Sequence, residues 1–421
     1  MWVMKVGGGC LRDVEAVRQL PMVLQAAYPE ARRLLVVSAF GKTTNRLVAL
    51  AESAARADLS AAHRVFGEIQ AFHREMVEGL FPFPTAEALW KRLEEKYWQG
   101  LWQRVQALAH LGEADGAATD AILVYGELLS SEIVAAYLSG QGFPLEWIDA
   151  RRLLVTDGAY PEPEVLLGPS QANVDAQLVP LFRTHRLVIT QGYIASDLRR
   201  RSVTLGREGS DYSAALFAQL LNAQGMIAWK DVGRLYSADP RTYPDAQPLP
   251  ELSYAQAAEM TYYGAQVLHP RTLKPLRDAR IPLYILSYFE PEAEGSLIAE
   301  KWVDPLPPIR ATRKGLLLIE VESVDLSPLS LGELLQGLEA EGIEVYFAQG
   351  GRRTAALAVQ GPQDSLERWR TTLPAGWEVQ LRQPVTLSTV LYPSENFPLP
   401  NGEALYLQRL PDRIHWLTYE I

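Results

Sequence analysis

Lys5 stands inside the apolar run Val3–Val6, and the glycines Gly7, Gly8 and Gly9 follow at once. A lysine at the end of a strand, just before a glycine turn, can reach whatever anion the turn cradles. It can equally lie on an exposed strand face. A second stretch, Thr204-Leu-Gly-Arg-Glu-Gly-Ser-Asp211, places Gly206 and Gly209 on either side of Arg207 and Glu208. Ser210 and Asp211 offer helix-capping chemistry there, and 214–221 reads as the helix they would cap. A glycine loop entering a helix start leaves backbone N–H groups unpaired at the positive end of the helix dipole, which suits phosphate or carboxylate. Arg207 could clamp a carboxylate through two parallel hydrogen bonds. The plain alternative is a turn and a capped surface helix. Glu127, early in another helical stretch, could cap backbone donors or hold an ammonium. The loop 38–45 is rich in small polar groups. Its Gly41-Lys42-Thr43 resembles the end of a P-loop, but Val36 stands where the first P-loop glycine belongs, so that reading fails.

The elements that must position these residues alternate. Apolar runs at 3–6, 33–38, 142–148, 187–192, 226–231 and 281–286 read as strands, and helical periodicity lies between them. Their continuous apolar character fits a parallel sheet covered on both faces. The fold class expected is therefore α/β, three-layered with a mainly parallel central sheet over roughly the first 300 residues. Ligands on such sheets gather at the carboxyl ends of the strands, so the glycine loops should converge on one edge. From 46 to about 110 the pattern is helical, broken near 58–60 and 81–84. The stripe Trp90, Leu93, Tyr97, Leu101 and Val105 reads as helix core. A Pro-rich linker is expected at 301–313. The region 314–421 then reads strand, helix, strand, strand, helix, strand, an α+β ferredoxin-like order, with further strand-like pieces at 385–392 and 403–410.

Composition narrows the function classes. A chain of 421 residues, 48% hydrophobic and 21% charged, fits two or three globular domains. A net charge of −10 argues against a nucleic-acid partner. No run of 18 apolar residues lacks a charge, so no membrane span is expected. The opening residues lack a secretory signal pattern and there is one cysteine, Cys10, so a cytoplasmic location is expected. Six scattered histidines give no spacing of a protein-only metal site.

Taken in order, Val3-Met-Lys-Val-Gly-Gly, Val37-Ser-Ala-Phe-Gly-Lys-Thr-Thr-Asn, Tyr125-Gly-Glu-Leu-Leu-Ser, Trp147-Ile-Asp-Ala-Arg and Val155-Thr-Asp form the first half of a pattern. Thr190-Gln-Gly-Tyr-Ile-Ala, Thr204–Asp211, Trp229-Lys-Asp-Val, Tyr236-Ser-Ala-Asp-Pro-Arg and Tyr263-Gly-Ala-Gln-Val-Leu-His-Pro-Arg complete it. The chain resembles the aspartate kinases, of the amino-acid kinase fold, along nearly its whole length. The resemblance implies a catalytic domain at 1–300 and an ACT-like regulatory region at 314–421, one module plus a remnant. It implies ATP-dependent phosphorylation of the β-carboxylate of L-aspartate, the step that opens lysine, threonine and methionine biosynthesis.

By that resemblance Lys5 would stabilise the transferring phosphoryl group, and Gly7, Gly8 and Gly9 would turn N–H groups to the phosphates. Ser38, Thr44, Glu127 and Arg207 would hold aspartate, Glu127 on its ammonium and Arg207 on its α-carboxylate. Asp211 would order the site. Asp231, Tyr236 and Arg241 would line the nucleotide, and Mg2+ would ride mainly on ATP phosphates and water. A homodimer through the ACT region and a lysine or threonine effector are implied too. Several positions depart from the family pattern, Val6 in place of Phe among them. Gly9 and Cys10 replace Thr-Ser, Gly233 replaces an aspartate, and Gln266 replaces a lysine for which Lys230 or Lys274 could substitute. Glu208 stands where the family often has glycine, and should face solvent or pair with an arginine. The departures keep two other readings open, a catalytically weak amino-acid sensor and a kinase for a related carboxylate.

Overall fold

The structure, a computed structural model, describes residues 1–160, 162–265, 268–323, 330–393 and 404–420. Gln266 lies outside the described residues. The chain forms two units interleaved in sequence. The first is Met1–Leu235, Pro250–Tyr254 and Leu268–Lys301; the second is Tyr236–Leu249, Ala255–Val267 and Trp302–Ile421.

The first unit is built on β1 (Trp2–Val6), β2 (Arg33–Val37), β3 (Leu145–Trp147), β4 (Leu187–Gln191), β5 (Ile194–Asp197), β6 (Ser202–Thr204), β7 (Gly225–Lys230), β8 (Glu251–Ser253), β9 (Leu283–Ser287) and β10 (Ser296–Ala299). Eight of these form one sheet in the order β8-β10-β9-β7-β1-β2-β4-β3. Neighbours run parallel except β9 and β10. The four central strands, β7, β1, β2 and β4, are almost entirely buried, as their unbroken apolar runs require. Lys5 in β1 sits level with Val36 of β2 and Ala228 of β7. β5 and β6 pair antiparallel beside the main sheet and deliver the chain to the Arg207 loop.

The helices that matter here are α1 (Thr43–Ala55), α2 (Leu59–Leu80), α3 (Gln99–Leu111), α4 (Gly116–Leu123), α5 (Tyr125–Gly140), α6 (Gly209–Leu220) and α7 (Pro270–Asp278). The aromatic stripe is core as expected: Trp90, Leu93, Tyr97, Leu101 and Val105 are all buried. Val124 keeps right-handed helical dihedrals between α4 and α5. Together, 116–140 are long and apolar enough to cross a membrane, but 83% of the most apolar window is buried inside the protein. That apolarity belongs to a helix walled in by protein.

The second unit carries β11 (Ile309–Ser323), α8 (Leu331–Ala340), β12 (Glu344–Gly350), β13 (Thr354–Gln360), α9 (Gln363–Thr371), β14 (Trp377–Leu391), β15 (Tyr406–Arg409) and β16 (Arg413–Tyr419). Its sheet order is β12-β13-β11-β14-β16-β15. The first six elements give the ferredoxin-like order. Leu334, Leu338, Leu366 and Trp369 of its two helices pack with Ile319, Val321, Leu357 and Val359 of the sheet. Two expectations change. β11 begins at Ile309, inside the stretch read as linker, and the piece at 385–391 is the second half of β14. Both strands run on because a second set of pairings, Ile309–Leu391 to Arg313–Leu387, extends the ladder past the first module. The boundary at residue 300 is also crossed, since 236–249 and 255–267 belong with the second unit.

Candidate active site

The carboxyl ends of β1, β2 and β7 bring the expected residues together. After β1 the chain turns through Gly7, Gly8 and Gly9. A Cβ on Gly8 would lie 2.9 Å from the carbonyl oxygens of Ala39 and Gly41, so only glycine lets the two loops meet. Lys5 is 5% exposed, which removes the reading of a lysine on an open strand face. Its Nζ lies 3.0 Å from Asp211 Oδ1, and Lys230 Nζ lies 2.9 Å from Asp211 Oδ2.

One buried carboxylate thus serves two ammonium groups, and the cluster keeps one positive charge in excess. Burial works against the charge of Asp211, but Lys5 and Lys230 hold its carboxyl down to about 2. Burial pulls Lys5 below the ordinary lysine value, with Asp211 opposing. Burial also opposes the charge of Lys230, and there Asp211 prevails and raises it. An uncompensated buried charge is costly, so the cluster is primed for an incoming anion. Asp231, exposed at the end of β7, faces the same turn: a Cβ on Gly9 would lie 3.9 Å from its Oδ2.

Beside this cluster is a cavity of about 740 Å³ lined by Lys5, Gly8, Ser38, Thr44, Glu127, Arg207 and Asp211, with Asp120, Tyr193 and Thr204. Glu127 is 2% exposed. Its Oε1 takes a long bond, 3.4 Å, from the Ala39 N–H, and its Oε2 has no hydrogen-bond partner among the described residues. Burial pushes its carboxyl up to about 8, with the Ala39 bond opposing. An unsatisfied buried carboxylate oxygen at a cavity wall fits an ammonium. Arg207 is exposed at the rim and makes no ion pair or side-chain hydrogen bond among the described residues. The cavity therefore offers a buried carboxyl, a guanidinium and a lysine cluster together.

Some expectations need correction. Ser210 and Asp211 do not cap α6. The N-cap is Glu208, without a side-chain cap bond, and Asp211 turns from the helix end to the two lysines. Glu208 is exposed, as expected, but it also has an unforeseen partner: its Oε2 accepts from the His269 N–H at 2.7 Å, at the start of α7. Lys230 takes a place in the cluster, whereas Lys274 is exposed and pairs with Asp278 at 2.6 Å. Tyr236 and Arg241, expected at the nucleotide, lie in the second unit, where Arg241 pairs with Asp239 at 3.0 Å.

Cys10 is buried, and its Sγ lies 3.5 Å from the Trp229 carbonyl oxygen. Burial pushes its thiol up to about 12. Gly233 has a packing cause, since a Cβ there would come within 2.4 Å of Ser287 Cβ. Sequence reasoning missed Asp120 and Tyr193. The available signal for Asp120 was a lone carboxylate in Gly116-Ala-Ala-Thr-Asp-Ala-Ile-Leu, two helical turns before Glu127.

Residues 1–287 match the model of the amino acid kinase family. The chain belongs to that family, in its aspartokinase branch. The lysine-sensitive aspartokinase 3 of Escherichia coli (strain K12) is 34% identical over 329 residues, 77% of this chain and 70% of that protein. A bifunctional aspartokinase/homoserine dehydrogenase of Haemophilus influenzae is 34% identical over 306 residues, 71% of this chain but only 36% of that protein. Among solved structures, E. coli aspartokinase III with aspartate and ADP superposes with a TM-score of 0.83 at 27% identity, covering 100% of this chain and 96% of that one. The same enzyme with lysine and aspartate gives 0.80 at 27% identity over the same shares.

Proposed function

We propose that this member of the aspartokinases transfers the γ-phosphoryl group of ATP to the β-carboxylate of L-aspartate, giving 4-phospho-L-aspartate and ADP at the head of an amino-acid biosynthetic route. The observation that carries this reading is the unpartnered Glu127 oxygen in the cavity that Arg207 and Lys5 also line. Glu127 takes the ammonium, Arg207 the α-carboxylate, and Ser38 and Thr44 offer hydroxyls along the wall. The β-carboxylate then faces the Lys5–Asp211–Lys230 cluster. A carboxylate is already a nucleophile, so no general base is needed. The obstacle is the repulsion between two anions, and Lys5 with the glycine-turn N–H groups opposes it where charge develops. Mg2+ carried on the triphosphate would neutralise further phosphate charge. Asp231 is the carboxylate that would hold that Mg2+, because Asp211 is committed to lysines and Asp231 stays exposed beside the glycine turn.

Trapping the acyl phosphate with hydroxylamine tests the reading: hydroxamate should form only with ATP and L-aspartate together. ATP and aspartate binding without hydroxamate would instead mark a sensor. E. coli aspartokinase III has been solved with lysine, and we extend that effector to this chain through its ferredoxin-like unit, which would also pair two protomers. Lysine should lower the hydroxamate rate and threonine should not; equal rates at millimolar lysine would refute the assignment.

A further inference from the structure

We infer that Asp120 is a positioning residue that ties the helical stretch bearing Glu127 to the strand that leads into the Arg207 turn, and so sets how the cavity grips an amino acid. The inference rests on L-aspartate being the acceptor.

Asp120 lies in α4 and is 7% exposed. Both of its oxygens are spent on one residue. Oδ2 accepts from the Thr204 N–H at 2.6 Å, and Oδ1 accepts from the Thr204 hydroxyl at 2.8 Å. Two bonds to one residue fix its orientation as well as its distance. Thr204 is the last residue of β6, and Arg207 follows three residues later. The short turn between is tightly defined, with Gly206 at φ 72° and Glu208 at φ 52°. Its far end is tied as well, by Glu208 to the His269 N–H.

On the helix side, Val124 N–H bonds the Asp120 carbonyl at 3.2 Å, and Leu128 N–H bonds the Val124 carbonyl at 3.2 Å. The helical bonding therefore runs on from Asp120 past Glu127. Seven residues are close to two turns, so Asp120 and Glu127 share one face. Glu127 and Arg207 hold two groups attached to the same α-carbon of the substrate. The tie between their supports decides whether both can engage at once. Tyr193 and Thr204 line the same wall.

A buried aspartate could serve the fold alone, so the test separates binding from stability. In the full chain, Asp120→Ala removes both acceptors, whereas Asn would still accept from the Thr204 N–H and donate to its hydroxyl. The expected result is a KM for aspartate raised at least tenfold, with the KM for ATP within twofold whatever the change in Tm. Thr204→Val, which keeps only the N–H donor, should raise the aspartate KM in the same direction. Thr204→Ser, which keeps both donors, should restore the wild-type value. Equal changes in both KM values, or a fall in Tm with no KM split, would overturn the inference. So would an unchanged aspartate KM in Thr204→Val, which decides the matter if Asp120→Ala does not fold. Wild-type protein without aspartate-dependent turnover would instead defeat the functional reading on which the inference rests.

Discussion

Burial sets the protonation of Glu127. Burial holds its carboxyl neutral up to about 8, so in the ligand-free site near neutral pH it must lose a proton before it can pair with an ammonium. The KM for aspartate should therefore fall as pH rises from 6.5 to 8.5, and Glu127→Gln should flatten that slope at a higher KM. Stability moves the other way. The ordinary value is 4.5 and the folded value is raised, so between them the folded state holds a proton that the unfolded state has released. The stabilising contribution is complete below the ordinary value and is lost as pH rises toward the folded one. Thermal melts of ligand-free protein should show Glu127→Gln gaining on wild type between pH 5 and pH 8. Lys5 admits a cruder test. Removing one donor to the transferring phosphoryl group costs on the order of a hundredfold in kcat. Lys5→Ala should lose at least that, with turnover within a few fold of wild type counting against the assignment. Cys10→Ser should leave kcat within about threefold, because the side chain already points to the Trp229 carbonyl oxygen and a hydroxyl would stay there.

At the scale of elements, the turn between β6 and α6 shows what a linear pattern carries and what it hides. Arg207, Lys5 and Glu127 were legible because strand ends and glycine turns set their places locally, and a family motif surrounds each. The parallel sheet was legible for a similar reason, since a strand buried on both faces has to be apolar throughout. Glu208 was not legible: its partner is 61 residues away, and no spacing rule reaches that far. Asp120 was hidden the same way, with a partner 84 residues on. Ser210 and Asp211 were misread as caps because capping chemistry is local, whereas two lysines from other strands compete for Asp211 and win. Glu208 also sits at φ 52°, a backbone state that costs a non-glycine residue roughly 1–2 kcal/mol. Glu208→Gly loses the bond to α7 but removes that strain, whereas Glu208→Ala loses the bond and keeps the strain. The alanine variant should therefore be the less stable by about 1 kcal/mol in urea unfolding. The reverse order would mean that the turn is unstrained.

At the scale of the whole molecule, the second unit takes 255–267 from a stretch of sequence that precedes it by some 40 residues, and the side chains explain how it keeps them. Arg413, at the start of β16, reaches Tyr263 Oη at 2.7 Å and Glu259 Oε1 at 3.1 Å while also pairing with Asp412. Tyr392, just past β14, donates to Glu259 Oε2 at 2.8 Å. Tyr262 donates to the Val345 carbonyl at 2.7 Å, and the Tyr263 ring lies against His415, with centroids 4.9 Å apart. Tyr263 apart, which opens a family motif, none of these residues stands out in sequence, because each is an ordinary polar or aromatic group until the fold pairs it. Arg413 makes most of the charged contacts, and its side chain is 26% exposed, so solvent screens only part of their strength. Replacing it by methionine keeps the stem and removes the guanidinium, which leaves Glu259 with Tyr392 alone. The amides of 258–263 should then exchange with deuterium roughly tenfold faster, the equivalent of about 1.4 kcal/mol in local opening. The central strands β1, β2 and β7 belong to the other unit and should keep their protection. Unchanged exchange at 258–263 would mean that the aromatic contacts alone hold this segment. Faster exchange in β1 as well would mean that the effect is not confined to the second unit.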